Sequence, residues 1–208
     1  MKRYITVALL CIFSSQIFAK NLDSSCVASG DNPLWSFVNE YKSASLDHSI
    51  KANFPLPETK LVNAAIFGDN EILLKSKRAL ELDPKDAAQA IYAAALMGRI
   101  DTSSILIDLG VSPNATVENN LTPLYAAVQY GCTDEIRYLV KRGANINLRA
   151  NVGFTLLESA VSSNYFDTAS TLMELGYMPD AVEMKRVRDI LSHSGNIKEY
   201  ERIFHRSD

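Results

Sequence analysis

The chain has few of the residues that enzymes use for acid–base, nucleophilic or metal chemistry. Its 208 residues include three histidines and three cysteines. His48, His193 and His205 lie far apart and form no H-E-x-x-H pattern, so a zinc motif is missing. A G-x-S-x-G elbow, a Walker loop and a dinucleotide fingerprint are also missing. The sequence therefore predicts a protein without catalytic residues, a metal site or a cofactor.

Excess basic charge and long apolar runs are missing too. Lys and Arg number 21 against 24 Asp and Glu, which gives a net charge of −3. A nucleic acid partner calls for a basic surface, so we predict none. Beyond residue 19, no apolar stretch approaches the roughly 18 to 20 residues of a membrane-spanning helix, which argues against membrane insertion.

Residues 1–19 differ from the rest of the chain. Two basic residues precede the apolar run 4–13, and Ala19 supplies a small residue at a cleavage point. This order is typical of a secretory signal peptide, and the run is too short to span a membrane. Because the short basic region favours a bacterial signal, we expect a mature chain that begins near Lys20 in the periplasm. The alternative location is extracellular.

An internal repeat dominates the remainder. The segment 122–128 aligns with 155–161 and with 89–95, and both offsets equal 33. Other positions keep the same spacing: Gly98 with Gly131 and Asn164, Leu106 with Leu139 and Leu172, Gly110 with Gly143 and Gly176, and Asn114 with Asn147 and Asp180. A fixed period of this length predicts stacked helical units.

The best copy, residues 114–147, has a physical reason at each repeated position. Thr122 is placed to cap a helix, with Pro123 at the first helical position, where its missing N–H costs nothing. Small Ala126 and Ala127 allow neighbouring helices to approach closely. The larger residues Ile136, Leu139 and Val140 fill the layer beneath, and Gly131 and Gly143 end the two helices.

This register resembles the ankyrin repeat, whose T-P-L-H-x-A signature opens the first helix of a helix-turn-helix unit. Tyr92, Tyr125 and Glu158 replace its His, which implies weaker hydrogen bonding between repeats. Asn164 replaces a glycine but tolerates the left-handed conformation. The resemblance implies an all-α, ankyrin-like α-solenoid of about four to five helix-turn-helix repeats with short β-turn fingers and terminal capping helices.

We predict five consecutive regions. They are the signal peptide (1–19), an N-terminal helix and extended segment (20–58), a degenerate first repeat (59–86), three ankyrin-like repeats (87–180, divided into 87–119, 120–152 and 153–180) and C-terminal capping helices (181–208). The N-terminal helix opens at Asn32-Pro33 and carries Leu34, Phe37, Val38 and Tyr41 at amphipathic spacing. A second helix is predicted from Ile72 to Leu82, ended by Asp83-Pro84.

Two cysteines lie beyond the signal peptide. In an oxidising compartment Cys26 and Cys132 can pair, closing a loop of about 100 residues and stabilising the fold by up to about 4 to 5 kcal/mol. The alternative is a buried Cys132 and an unpaired Cys26.

The resemblance also implies where a partner binds, because ankyrin-like stacks use their fingers and inner helices at positions that neither cap nor pack. The predicted partner-binding residues are Lys85, Asp86, Met97, Thr116, Glu118, Asn119, Leu121, Gln129, Tyr130, Arg149, Asn151, Val152, Phe154 and Ser162. Apolar side chains with a charged rim are typical of a protein–protein contact. For Met97 the alternative is packing against the N-terminal segment.

We therefore expect a non-catalytic protein-binding module in the bacterial periplasm. The sharpest hypothesis is an immunity-type inhibitor that binds and blocks a toxin or effector enzyme directed at the envelope. The alternatives are a secreted virulence factor that binds host proteins, and an accessory protein or chaperone for an exported enzyme. The sequence leaves the oligomeric state open.

Overall fold

A computed structural model of the protein describes residues 60–75 and 83–204. The described residues form ten α-helices and no strand: α1 Lys60–Phe67, α2 Asn70–Lys75, α3 Pro84–Leu96, α4 Ile100–Asp108, α5 Pro123–Gln129, α6 Thr133–Lys141, α7 Leu156–Ser162, α8 Phe166–Glu174, α9 Ala181–His193 and α10 Lys198–Phe204. The predicted signal peptide, the N-terminal helix and extended segment, Cys26, and residues 76–82 of the helix predicted from Ile72 to Leu82 lie outside these residues.

The helices form five antiparallel pairs that stack in two layers. The odd-numbered helices α1, α3, α5, α7 and α9 pack side by side in chain order and form the first layer. The even-numbered helices form the second layer in the same order, and each packs on its partner from the first layer. Contacts therefore run between neighbouring pairs, as in a solenoid.

The central helices begin where the sequence predicts. Thr122 caps α5, because its Oγ1 accepts the N–H of Tyr125 at 3.1 Å, and Pro123 occupies the first helical position. Thr155 caps α7 with a reciprocal pair of bonds: its Oγ1 accepts the N–H of Glu158 at 3.1 Å, and the Glu158 carboxylate accepts the Thr155 N–H at 2.9 Å. These two caps set the 33-residue spacing of the central units.

The unit that contains α3 differs from the prediction. The side chain of Asp83 accepts the N–H groups of Lys85 and Asp86 at 2.9 and 3.3 Å, and Pro84 follows at the first helical position. The Asp-Pro pair therefore begins a helix, and α3 has 13 residues, whereas α5 has 7. Lys85 and Asp86, two of the predicted partner-binding residues, therefore lie in the first turn of α3 and not in a finger.

The core combines small residues from the first layer with large ones from the second. Ala94, Ala127 and Ala160 are 0 % exposed at 33-residue spacing, and so are Leu106, Leu139 and Leu172. Alanines let the first-layer helices approach one another, and each buried leucine contributes roughly 1.5–3 kcal/mol. None of the helices in residues 60–75 and 83–204 is both long and apolar enough to cross a membrane.

Candidate protein-binding surface

Two long connections project from the stack beside α5 and α7. We call residues 109–122 finger 1 and residues 142–155 finger 2. At their bases, Asn114 joins them, because its Nδ2 donates to the carbonyl of Gly143 at 2.9 Å and its Oδ1 accepts the N–H of Asn145 at 2.7 Å. One unit further along, Asn147 Oδ1 accepts the N–H of Met178 at 3.4 Å. The predicted equivalence of Asn114 and Asn147 is thereby confirmed.

The finger tips are joined as well. Asn119 and Asn120 both adopt φ 58°, the left-handed conformation that asparagine tolerates among non-glycine residues. This turn lets the Asn119 carbonyl accept the N–H of Asn151 at 2.7 Å, while Asn120 Nδ2 donates to the carbonyl of Arg149 at 2.9 Å. Hydrogen bonds at base and tip hold the fingers in one geometry, which lowers the entropy that binding must remove.

Of the fourteen predicted contact residues, five are half-buried, eight are exposed and one, Met97, is buried. Leu121, Tyr130 and Val152 are half-buried and pack against the core, so only part of each side chain can meet a partner. Of the others, Asp86 and Gln129 are also half-buried, whereas Lys85, Thr116, Glu118, Asn119, Arg149, Asn151, Phe154 and Ser162 are exposed.

Met97 corrects the prediction. It is 2 % exposed and lies in the core, so it is not available to a partner. Its N–H binds the carbonyl of Ala93 at 3.1 Å and ends α3. The alternative, that Met97 packs against the N-terminal segment, stays a prediction, because that segment lies outside the described residues.

Three strongly exposed apolar side chains lie where finger 2 meets α9. Phe154 is 54 % exposed, Met178 77 % and Val182 62 %. Thr155 Oγ1 donates to a carboxylate oxygen of Glu183, and this bond places the preceding residues, Phe154 and Val182, on adjoining segments of the chain. Met178 is held beside finger 2 by the bond to Asn147. We call Phe154, Met178 and Val182 the apolar corner.

A buried carboxylate supports this corner. Glu183 is 0 % exposed and also accepts the hydroxyl of Tyr177 at 2.8 Å. Arg149 Nη2 lies 3.8 Å from the second Glu183 oxygen and 3.3 Å from Asp180 Oδ2. Burial and the neighbouring Glu183 carboxylate raise the pKa of Tyr177 above its usual value. The network fixes the positions of finger 2 and of the first turn of α9.

A second buried carboxylate joins the same two units. Glu158 is 2 % exposed, and one of its oxygens accepts Nε of Arg186 in α9. The expectation that Glu158 weakens the hydrogen bonding between repeats is therefore wrong. A carboxylate at this position caps its own helix and at the same time forms an ion pair with the next unit.

The sequence reasoning missed Met178 and Val182, although the register contains a signal for both. Met178 lies 33 residues after Asn145 and therefore holds the equivalent position in the next unit. Val182 is related to Arg149 in the same way. Both earlier positions are exposed and polar. An apolar residue at a register position that is exposed in the preceding unit indicates a contact surface, because water alone does not favour it there.

Few of the described residues could bind a metal ion or take part in a covalent reaction. Residues 60–75 and 83–204 contain no group of three or more His, Cys, Asp or Glu side chains that could hold a metal ion. Cys132 is 0 % exposed and disulfide-bonded. Its predicted partner Cys26 lies outside the described residues, so the pairing itself stays a prediction.

The stack of helix pairs, the two fingers and the 33-residue register define an all-α, ankyrin-like solenoid. In agreement, residues 112–182 match a family model described as ankyrin repeats, in three copies. Ankyrin repeats imply a protein-binding module.

Curated relatives match over parts of their length. An ankyrin repeat-containing protein of Schizosaccharomyces pombe is 46 % identical over 67 residues, which are 32 % of each chain. An ankyrin repeat protein of Rickettsia bellii is 29 % identical over 115 residues, covering 43 % of this chain and 48 % of that protein. The chain thus spans about a third of the first relative and about half of the second.

One similar protein has the name of an enzyme. The glycerophosphocholine phosphodiesterase gde1 of Schizosaccharomyces pombe is 28 % identical over 131 residues, covering 61 % of this chain. The matched part is only 12 % of that protein. Its activity is therefore not carried over to this chain.

Proposed function

We propose that the chain is a non-catalytic protein-binding module of the bacterial periplasm and acts as an immunity-type inhibitor. It binds and blocks a toxic enzyme that reaches the cell envelope. The observation that supports binding most directly is the apolar corner, where Phe154, Met178 and Val182 are each more than half exposed. Partner proteins bury apolar side chains of this kind inside a polar rim.

The surroundings of the corner suit a tight inhibitor. Arg149 and Asp180, which form an ion pair, and the exposed Asn151 of finger 2 supply the polar rim. The fingers are hydrogen-bonded to each other, and the corner rests on the buried Glu183 network. Because these groups are ordered before the partner arrives, binding costs less conformational entropy.

Export and the inhibitory role are supported by the sequence. Residues 1–19 have the order of a secretory signal peptide, which directs a mature chain out of the cytoplasm. A binding module in that compartment, without a catalytic motif in its sequence, suits a protein that acts by occluding another protein.

The test starts with affinity capture by the tagged mature chain, residues 20–208, from envelope fractions of the producing cell and of its competitors. We expect one stoichiometric enzyme, which the purified chain inhibits in a direct activity assay. The variant Phe154→Ala should weaken binding about 30-fold or more, the loss typical of a contact worth about 2 kcal/mol. Leu74→Ala is the matched control, because Leu74 is also exposed, at 58 %, but lies at the other end of the stack.

Other outcomes distinguish the alternatives. A captured enzyme that keeps its full activity would replace the inhibitor with an accessory protein or chaperone. Accumulation of the chain in the culture medium, together with capture of host proteins only, would replace it with a secreted virulence factor. Equal affinities of Phe154→Ala and Leu74→Ala would exclude the apolar corner as the binding site.

A further inference from the structure

The connections between successive helix pairs differ in length. Finger 1 (109–122) and finger 2 (142–155) have 14 residues each, whereas only the 6 residues 175–180 lie between α8 and α9. Residues 181–188, which are equivalent to 148–155 of finger 2, form the beginning of α9 instead. Within the described residues, the row of fingers therefore ends at finger 2.

Asp180 explains the change from finger to helix. Its carboxylate accepts the N–H of Glu183 at 2.8 Å and caps α9. The equivalent residue of finger 2, Asn147, accepts instead the N–H of Met178 in the neighbouring connection. Because a strong N-cap begins a helix where finger 2 continues as a loop, the third connection has no finger to place beside finger 2.

Finger 1 shows what a neighbouring finger contributes. The carbonyl of Asn119 and the side chain of Asn120 are both hydrogen-bonded to the backbone of finger 2. Leu121, the next residue, is half-buried. The tip of finger 1 thus has polar partners in the next finger, beside an apolar side chain that is partly withdrawn from water.

The equivalent edge of finger 2 lacks these partners. In the described part of the chain, the backbone of residues 152–154 makes no hydrogen bond. A Cβ built on Gly153 meets no described residue within 4 Å, and Phe154 is 54 % exposed although its equivalent Leu121 is half-buried. We call residues 152–154 the open edge. It continues the row of finger contacts and adjoins the apolar corner.

We propose that an extended segment of the partner protein binds along the open edge and takes the place of a third finger. Its backbone N–H and C=O groups pair with those of residues 152–154, and one of its apolar side chains packs on the apolar corner. Extended peptides bind unpaired backbone groups in this way in other recognition domains, where side-chain contacts add specificity. The inference rests on the proposed function for the corner being a protein-binding site.

The charges beside the open edge favour a segment without excess charge. Arg149 of finger 2 and Asp180 form an ion pair at 3.3 Å and neutralise each other, and the exposed Asn151 is uncharged. An ionised side chain placed on the apolar corner would lose water without gaining a counter-charge. The segment that fits is therefore uncharged where it meets the corner and carries an apolar residue there.

The first test selects ligands without reference to any particular partner. The mature chain, residues 20–208, is offered a library of random linear peptides displayed on phage, and the enriched sequences are synthesised. We expect uncharged peptides with an apolar residue, whose affinity for Gly153→Asn is lower by about tenfold or more. Asparagine tolerates a left-handed backbone, here φ 80°, and its side chain enters the space that the segment needs.

Gly143→Asn is the matched control for Gly153→Asn. Gly143 also has a positive φ, 94°, and a Cβ built on it meets no described residue within 4 Å. It lies at the base of finger 2, away from the open edge, so peptide affinity should stay at the wild-type value. If Gly153→Asn does not fold, Val182→Asp makes the same comparison by placing a charge in the apolar corner.

The second test addresses the backbone pairing. Single backbone nitrogens of an enriched peptide are methylated in turn, and affinity for the wild-type chain is measured. An extended segment pairs through every second residue along one edge, so methylation at alternate positions should weaken binding about tenfold or more, with little effect in between. Equal tolerance at all positions, or equal losses at consecutive positions as for a helical ligand, would overturn the extended segment.

The remaining outcomes also decide the proposal. Failure to enrich any peptide, or equal affinities of the wild type and Gly153→Asn, would exclude the open edge as the binding site. Dimers of the chain alone that Gly153→Asn abolishes would assign the edge to a second copy instead. A captured enzyme that needs Phe154 but tolerates Gly153→Asn would contradict only the extended segment, whereas peptide binding at the open edge without any inhibited enzyme would contradict only the proposed inhibitor.

Discussion

Three buried glutamates join neighbouring units of the stack, and each carboxylate contacts a different set of polar groups. Glu135 accepts a hydrogen bond from Ser103 of the preceding unit at 2.5 Å. Glu158 is paired with Arg186, and Glu183 accepts two hydroxyl groups. Burying a carboxylate costs free energy unless hydrogen bonds or a counter-charge offset it. Glu135 has the least compensation, because the described residues give it one hydroxyl donor and no cation.

Glu135 should make stability depend on pH. Burial raises its pKa to about 7, although the Ser103 hydroxyl acts in the opposite direction. Between the ordinary carboxyl pKa and pH 7 the folded chain holds a proton that the unfolded chain has released. Stability therefore falls as pH rises through this interval, by about 3 kcal/mol in total, and levels off above it.

Urea unfolding of the wild type and Glu135→Gln at several pH values between 4.5 and 8 measures this effect. The free energy of unfolding of the variant should lack the fall, so that the difference between the two proteins changes with pH. Glu201→Gln, at an exposed position of α10, is the control for loss of a carboxylate. Parallel pH profiles for wild type and Glu135→Gln would contradict the prediction.

Single residues show where sequence reasoning succeeds and where it does not. The cap at Thr122 and the left-handed Asn164, with φ 61°, follow from local backbone chemistry and are predictable. Buried Glu135 and buried Met97 are not, because their burial depends on neighbours from other units. A glutamate in an otherwise polar helical pattern indicates solvent exposure, and only the tertiary packing overrides that expectation.

The turns within each helix pair are specified by one position of the register. Gly131 lies in the left-handed region at φ 68°, and Asn164 occupies the equivalent position of the next unit. A Cβ built on Gly131 would lie 2.9 Å from Cδ1 of Tyr165. The turn after α5 therefore needs glycine for two reasons: its backbone conformation and its close approach to the next unit.

Gly131→Ala should destabilise the protein more than Gly143→Ala. Both positions have positive φ, so both variants carry a backbone cost of roughly 1–2 kcal/mol. Among the described residues, a Cβ at Gly143 meets nothing within 4 Å, whereas the one at Gly131 must displace the Tyr165 ring. We expect an additional loss of about 1 kcal/mol or more for Gly131→Ala in chemical denaturation. Equal losses for the two variants would show that the ring moves aside freely.

Element boundaries were harder to predict at the ends of the stack than at its centre. Asp83-Pro84 is predicted to end a preceding helix, a prediction that falls on residues outside the described ones, and the same pair can also cap a following helix. The structure shows a cap, with Lys85 and Asp86 in the first turn of α3. At the centre the repeated Thr caps leave no such ambiguity, because each begins a helix of 7 residues.

The interfaces between neighbouring units are apolar near the start of the described stack and include buried ion pairs near its end. The contact of α3 with α5 is rich in alanine, whereas the contact of α7 with α9 includes the buried Glu158 and its partner Arg186. Arg202 of α10 adds an ion pair to Asp167 of α8. The stability of a solenoid is approximately the sum of its units and of the interfaces between neighbours. The last unit, α9 and α10, has a neighbour on one side only, so loss of an ion pair at its single interface should loosen this unit more than the rest of the stack.

The position of the apolar corner links this interface to binding. Phe154 belongs to the finger before α7, whereas Val182 belongs to α9, so the corner exists only while the two units stay together. A change in the interface should therefore affect binding even where the altered residue does not touch the partner. Arg186 is suited to the test, because its Nε contacts Glu158 at the base of the interface.

Arg186→Ala should loosen the last unit selectively. Glu158, 2 % exposed, would lose its cation and cost about 1–3 kcal/mol as an unpaired buried carboxylate. Hydrogen exchange should accelerate across α9 and α10 but not across α3 and α5, since interface energies act between neighbours. Binding of the partner should weaken in parallel, because opening this interface separates Phe154 from Val182.

Lys185→Ala is the matched control for Arg186→Ala, because it removes the same charge from the adjacent, exposed position of α9. It should leave exchange in α9 and α10 unchanged. A uniform acceleration from α3 to α10 in Arg186→Ala would contradict the prediction and would mean that the stack opens as one cooperative unit. Selective acceleration without loss of binding would place the partner's contact on the fingers alone, away from the interface that Arg186 maintains.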